Sequence, residues 1–387
     1  MTERLYYQDS QLARFTARVV DTAEEGRRVY LDRTAFYPAS GGQPNDLGTL
    51  NGVRVVEVVD EEERIAHILE TPLSSGEVDG IIDWQRRYDH MCQHSGQHLL
   101  SSVFEELYGM KTVSFHLGVD ASTIELATPT LTAAQASAAE RRANALVMEC
   151  RAVAVTFEDA AEAQGLCKAS EREGTLRIVA IDGIDRSACC GTHVRSTGEI
   201  GPILVRKFDK IRGNTRVEFL CGARAIAAAR ADYDALTAAA RLFSASAAEV
   251  PALIGALQTQ AKEADKVRRK LAVELAGKRG AELHAAAPSD AGGLRRHVER
   301  VAQGGLDDEV RALAQGFTNA GHALFVAACD DPPSLLLAAS PDSGIHAGNR
   351  VKELLAVHGG RGGGNAQLAQ ASLPTKQALV SVLGEIG

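Results

Sequence analysis

His94-Ser-Gly-Gln-His98 and, well downstream, Cys189-Cys-Gly-Thr-His193 decide how this chain is read. On a helix, residues four apart share a face, so His94 and His98 can aim both imidazoles at one point. Cys189 and His193 repeat the spacing, and the two pairs together supply the S/N donor set that tetrahedral Zn²⁺ takes. Spacing alone leaves rivals, because His90 also precedes His94 by four and Cys190 precedes His193 by three. Successive steps of four drift by roughly 40°, so at most two neighbouring histidines face one ion well.

Outward from the histidines, Leu99, Leu100, Val103, Phe104 and Leu107 recur with helical period up to Gly109, which predicts a helix over 89–108. Strand-like runs follow at Val113–Gly118 and Ser122–Leu126, a helix at Thr132–Arg151, and strands at Ala152–Phe157 and Leu176–Ile181. Ile203–Phe208 and Thr215–Leu220 read as an antiparallel pair, which makes 87–224 an α+β, zinc-containing domain. Before it, 1–86 carries short Val-, Ile- and Tyr-rich runs (Arg14–Val20, Arg28–Asp32, Val53–Val59, Arg64–Leu69) separated by turn-formers such as Asn51-Gly52, the pattern of a small β-barrel. Within it lies the glycine motif Phe36-Tyr-Pro-Ala-Ser-Gly-Gly-Gln-Pro44.

After it, 225–286 is Ala-rich and helical, opened by the capping box Ser246-Ala-Ala-Glu249. Its 3-4 spacing of Val250, Leu253, Leu257, Ala264, Val267 and Leu271 predicts a helical hairpin packed on itself. Residues 287–387 mix helices and strands as a C-terminal α/β domain; Gly359 to Gly364, around Arg361, read as a glycine loop able to hold an anion at a helix start. The fold class is therefore α+β in four segments.

Charge and composition bound the function. Hydrophobic residues are 45% and charged residues 24%, as in an ordinary soluble protein. No apolar run approaches the ~20 residues of a membrane span, so no membrane partner is expected. Seven cysteines, an odd number with two adjacent, argue for a reducing cytoplasm over a disulfide framework. The net charge of −8 disfavours a non-specific polyanion binder, but 206–216 concentrates Arg206, Lys207, Lys210, Arg212 and Arg216 against the single acid Asp209.

Taken together, His-Ser-Gly-Gln-His-Leu-Leu, Cys-Cys-Gly-Thr-His-Val and Phe-Tyr-Pro-Ala-Ser-Gly-Gly-Gln resemble the editing domain of alanyl-tRNA synthetase and its free-standing relatives, the AlaX proteins. The likeness covers 1 to about 224 in the right order, and the glycine-rich C-terminal stretch resembles the RNA-binding domain that ends those synthetases, as in the long form of AlaX. The resemblance implies His94, His98, Cys189 and His193 as Zn²⁺ ligands, with Cys190 standing where synthetases usually have glycine. It places Ser40, Gly41, Gly42 and Gln43 near the substrate's acceptor end. Thr112, Ser114 and His116 fall where the family lines its amino-acid pocket, Thr112 or Ser114 being the candidate partner for a substrate hydroxyl. Catalytic work would then rest on His94, His98, Thr112 and Ser114. Gln97 stands where synthetases carry Thr.

The implied activity is hydrolysis in trans of mischarged tRNA-Ala, Ser-tRNA-Ala first and Gly-tRNA-Ala second. The start of the chain directly in the barrel leaves no ATP-using aminoacylation domain. Arg206, Lys207, Lys210, Arg212, Arg216 and Arg361 would hold tRNA phosphates, and the helical or C-terminal region is where a homodimer would form. Two other readings stand beside it: a non-catalytic zinc-containing RNA-binding module, and a threonyl-tRNA-type editing enzyme, which shares the two metal motifs.

Overall fold

The computed structural model describes residues 1–161, 163–167, 174–301 and 305–386, which form two compact units, Met1–Ala238 and Ala239–Gly387. In the first unit, six strands pair in a closed ring: β1 (Arg14–Ala23), β2 (Arg28–Leu31), β3 (Gly48–Leu50), β4 (Val53–Glu61), β5 (Arg64–Leu69) and β6 (Glu77–Ile82). The order β1-β2-β5-β4-β3-β6 closes the barrel, since β6 pairs antiparallel with β1. Alternation turns Val29, Leu31, Leu50, Val55 and Ile65 inward, where all are fully buried.

Asp83 leaves the barrel and starts α1 (Trp84–Tyr108) by accepting the Arg86 N–H, and Gly109, left-handed at φ 65°, ends it. The C-terminal half of α1 is conventional, with Leu99, Leu100, Val103 and Phe104 buried against α2 (Ala133–Met148) and a four-stranded sheet. That sheet has the order β12-β13-β8-β7, from β7 (Thr112–Leu117), β8 (Ser122–Leu126), β12 (Ile203–Ile211) and β13 (Asn214–Cys221). A second sheet, β9-β10-β11, joins Val153–Asp159, Thr175–Ile181 and Asp185–Ala188.

The N-terminal half of α1 is unusual, because its buried face is polar. Arg87, fully buried, forms an ion pair with Asp46 and donates to the Ser10 and Ala35 carbonyls at 2.9 and 2.5 Å, fastening the helix to the barrel. Gln93 holds the end of β13, donating to Cys221 O and accepting from Cys221 N–H, both at 2.9 Å. α3 (Gly222–Leu242) follows, anchored by the Arg224–Asp89 ion pair.

In the second unit, the sheet β14-β15-β16-β18-β17 comprises Arg295–Val301, Ala323–Asp330, Pro333–Ala339, Leu368–Ser372 and Arg361–Gly364, with α5 (Asp308–Thr318), α6 (Ala347–His358) and α7 (Lys376–Ile386) packed on it. Two expectations are corrected here. Residues 225–286 are not a self-packed hairpin. α4 is one helix over Val250–Ala286 that packs on α5, because Gly280 lets the Leu313 backbone approach where a Cβ would collide. Its Leu257, Val267 and Leu271 stay 53, 54 and 58% exposed. The glycine stretch is not an anion loop at a helix start. It is the edge strand β17, and Gly362 and Gly364 lie against the β18 backbone with no room for side chains. Among the described residues no single helix is long and apolar enough to cross a membrane.

Candidate metal centre

The two motifs meet. One ligand atom each from His94, His98, Cys189 and His193 lies within 4.8 Å of every other, and three of the four residues are buried. The Cys189 Sγ sits 3.5 Å from His94 Nε2 and 3.3 Å from His193 Nε2. Both rivals stand outside this set. The His90 Nδ1 is buried without a hydrogen-bond partner, and Cys190 lies beside the Tyr7 hydroxyl.

Every imidazole is turned by a different neighbour. His94 Nδ1–H donates to Gln43 Oε1 at 2.8 Å, and His98 Nδ1–H to the Asp185 carboxylate at 2.7 Å. His193 Nδ1 pairs with Ser95 Oγ at 3.1 Å, and that oxygen also accepts the Val194 N–H. Asp185 is held in turn by the hydroxyls of Ser102 and Ser187. With each Nδ1 engaged, Nε2 is the nitrogen that each ring turns toward the centre, the arrangement that ligating histidines show in metal sites. Burial alone would raise the Cys189 thiol, but His94 and His193 outweigh it and hold the sulfur well below its usual pKa, as a thiolate. Burial likewise drives His193 toward neutral imidazole, with a pKa lowered to about 3. At His98 burial would lower the pKa, but the hydrogen bonds to Asp185 and Cys189 outweigh it and raise it to about 10, so a metal ion would displace that proton. Thiolate with neutral imidazoles is then a donor set that fits Zn²⁺. Gly191 completes it, since a Cβ there would overlap the His94 ring.

The barrel reaches this centre through its glycine motif. Ser40 and Gln43 close a tight turn by reciprocal backbone hydrogen bonds of 3.1 and 2.9 Å, leaving Gly41 and Gly42 exposed. The Gly42 carbonyl accepts the Leu117 N–H at 3.0 Å, which sets the turn on β7. Gln43 is buried. Its amide also bridges Thr192, accepting that residue's N–H at 3.2 Å and donating to its Oγ1 at 2.8 Å. Expected near the substrate's acceptor end, the Gln43 side chain is turned onto His94 of the cluster.

The three β7 candidates divide. A bulge at Val113 pairs Thr112 with Leu126 but Ser114 with Glu125. Thr112 therefore shares the inner face with Phe115, which stacks on His94 at 4.9 Å. Its hydroxyl donates to Ser101 Oγ at 2.8 Å, as Gln97 Nε2 does at 3.0 Å. Ser114 and His116 are exposed on the opposite face, Ser114 donating to Glu125. Neither faces the cluster, contrary to expectation, because the bulge inverts the parity of the strand.

Sequence reasoning also missed Asp185, Ser95, Ser102 and Phe115. Asp185, four residues before Cys189, was the one signal available. Of the basic candidates, Arg206 is ion-paired with Asp232, Lys207 lies 3.6 Å from Glu218, and Arg216 lies 4.0 Å from Glu125. Lys210 and Arg212, at the β12–β13 turn, have no ion pair among the described residues, nor has the exposed Arg361 on β17.

Residues 176–218, which hold Cys189 and His193, match the family model "Threonyl and Alanyl tRNA synthetase second additional domain". "Alanyl-tRNA editing protein Aarsd1" of Bos taurus is 38% identical over 208 residues, 52% of this chain and 47% of that one, so the match spans about half of that relative's length. An "Alanine--tRNA ligase" of Halorubrum lacusprofundi is 33% identical over 99% of this chain and 43% of its own. "Alanyl-tRNA editing protein Aarsd1" of Rattus norvegicus is 30% identical over 367 residues, 92% of this chain and 88% of the relative. A likeness over 92% of this chain and 88% of the relative places this chain in the family of alanyl-tRNA editing proteins.

Proposed function

We propose that the chain is a trans-editing hydrolase that cleaves the ester joining a wrong amino acid to tRNA-Ala, seryl first and glycyl second. The observation that carries the reading is the convergence of the acceptor-end turn 40–43 with the His94, His98, Cys189 and His193 cluster through one side chain, Gln43. A synthetase pocket discriminates poorly against a substrate that merely adds a hydroxyl, so a second site has to correct the error. Bound by these four residues, Zn²⁺ would polarise the ester carbonyl, activate water or anchor the substrate's amino group, with a full protein ligand set favouring anchorage.

The chain's own groups divide the remaining work. Exposed Gly41 and Gly42 offer backbone to the 3′ end, while Phe115 covers one face of His94 and keeps water from it. The Thr112, Ser101 and Gln97 group supports reading of a seryl hydroxyl, which alanine lacks. Lys210 and Arg212 in the first unit, and Arg361 in the second, would take phosphates, the second unit serving as the RNA-binding domain. A homodimer through the exposed apolar residues of α4 belongs to the same proposal.

Deacylation of Ser-tRNA-Ala, Gly-tRNA-Ala and Ala-tRNA-Ala by wild type and His98→Ala tests it. Wild type should release serine fastest and His98→Ala should release none; wild type no faster than buffer on all three would end the enzymatic reading.

A further inference from the structure

Adjacent cysteines pose a choice that the metal motif does not make by itself. Successive residues of an extended chain point to opposite sides, so either Cys189 or Cys190 can be turned toward the imidazoles, but not both. The β10–β11 ladder stops at Ala188, one residue short of the decision. From there a single residue of β10 takes over. The Arg177 carbonyl accepts the Cys189 N–H at 3.0 Å. Its side chain then returns, Nη1 donating to the carbonyls of Cys189 at 2.6 Å and Gly191 at 3.0 Å. Its Nε donates to the Tyr7 carbonyl at 2.9 Å, beside the phenol that Cys190 faces. Arg177 thus holds Cys189 on both sides of its α-carbon and fixes the peptide that follows Gly191.

The cost of this arrangement shows that it is not incidental packing. Arg177 is 5% exposed, has no carboxylate in ion-pair range among the described residues, and leaves Nη2 without a hydrogen-bond partner. A buried guanidinium is ordinarily paired, and an apolar side chain would fill the space without the desolvation penalty. What an apolar residue lacks is the planar fork that reaches three carbonyls at once. We propose that Arg177 is a positioning residue that selects Cys189 over Cys190 as the sulfur ligand of the metal centre.

The proposal rests on the metal reading and is tested without tRNA. Co²⁺ replaces Zn²⁺ as a probe, because a thiolate ligand gives it a charge-transfer absorption band. Wild type and Cys190→Ser should show the band, and Cys189→Ser should lose it. Arg177→Ala should bind Co²⁺ about 10–100-fold more weakly in chelator competition, the range for loss of a group that orients a ligand. In the Arg177→Ala/Cys189→Ser double variant a residual band should return, carried by Cys190. Affinity of Arg177→Ala within twofold of wild type would overturn the positioning role, and a double variant with no band would overturn the selection. Far-UV circular dichroism checks that the variants fold. If Arg177→Ala does not, Arg177→Lys carries the same measurement, since an ammonium keeps the charge but cannot span the three carbonyls. Wild type that takes up no Co²⁺ would instead remove the metal reading itself.

Discussion

Replacing Gln43 with Met separates two roles that the resemblance to editing domains had merged. The side chain makes three hydrogen bonds inside a region closed to water, Gln43 being 2% exposed and Thr192 fully buried. Methionine has similar length and no acceptor, so His94 Nδ1–H and the Thr192 N–H are both stranded. At ~1–3 kcal/mol for each orphaned buried donor, the metal-free protein should lose roughly 2–6 kcal/mol of stability. Released from Oε1, His94 no longer aims Nε2 at the centre, and metal affinity should fall about 10–100-fold, or roughly 1.4–2.7 kcal/mol. Gln43→Glu makes the control. One carboxylate oxygen can accept both N–H groups, the Thr192 hydroxyl can rotate to donate to the other, and His94 becomes more basic, so metal affinity should be kept or rise. Zn²⁺ competition against a chromophoric chelator reads both variants, and thermal melts of the metal-free forms read stability. A Gln43→Met protein with wild-type metal affinity would refute the orienting role and return Gln43 to the substrate contacts.

Other consequences are as direct. His67, enclosed in the barrel, donates Nδ1–H to the Val29 carbonyl and accepts from the Thr34 hydroxyl, and burial lowers its pKa from 6.5 to about 4. The unfolded chain therefore binds a proton between pH 6.5 and 4 that the folded one refuses. The His67 contribution to stability should fall by about 3 kcal/mol as pH drops through that window, and denaturant titrations of wild type and His67→Gln would show whether the difference between them changes by that amount, a constant difference refuting it. Ser114→Ala and His116→Ala should deacylate Ser-tRNA-Ala within twofold of wild type, whereas Thr112→Val should lose discrimination between seryl and alanyl esters. A tenfold loss with Ser114→Ala would contradict the strand parity drawn from the bulge. Lys210→Ala/Arg212→Ala should weaken tRNA binding and flatten its dependence on log salt by about one to two units; an unchanged slope would exclude this turn from the interface.

What could be read in the sequence follows a physical divide between local and distant causes. The α1 histidines and the β10 strand were legible because period and composition are local, and Gly109 marks where the helix stops. β3 and β6 were not, since one has three residues and the other carries Gly80 in its middle, so neither shows a clean alternation. The 3-4 spacing of α4 was real, but a helix period does not name its partner, and the partner is α5. Ser114 and His116 were misplaced by the one-residue bulge at Val113, which no residue type announces. Ser95 and Arg177 act on the centre only through chain crossings that bring them together, and their spacing from the residues they hold carries no period to detect.

That divide explains how the substrate side of the site is tied to its chemical side. The barrel supplies none of the four ligands, yet the orientation of His94 depends on it through Gln43. α1 is fastened to the same barrel by Arg87 with Asp46, Ser10 and Ala35, and the turn that holds Gln43 is fastened to β7 through Gly42. A tRNA end placed on Gly41 and Gly42, as proposed, would be one side chain away from an imidazole of the proposed metal centre. Movement of the barrel relative to α1 would disturb substrate placement and metal geometry together. Substitutions at the Arg87–Asp46 pair, remote from the four ligands, should therefore weaken metal binding in proportion to their effect on deacylation, a correlation that independent placement of substrate and metal would not produce.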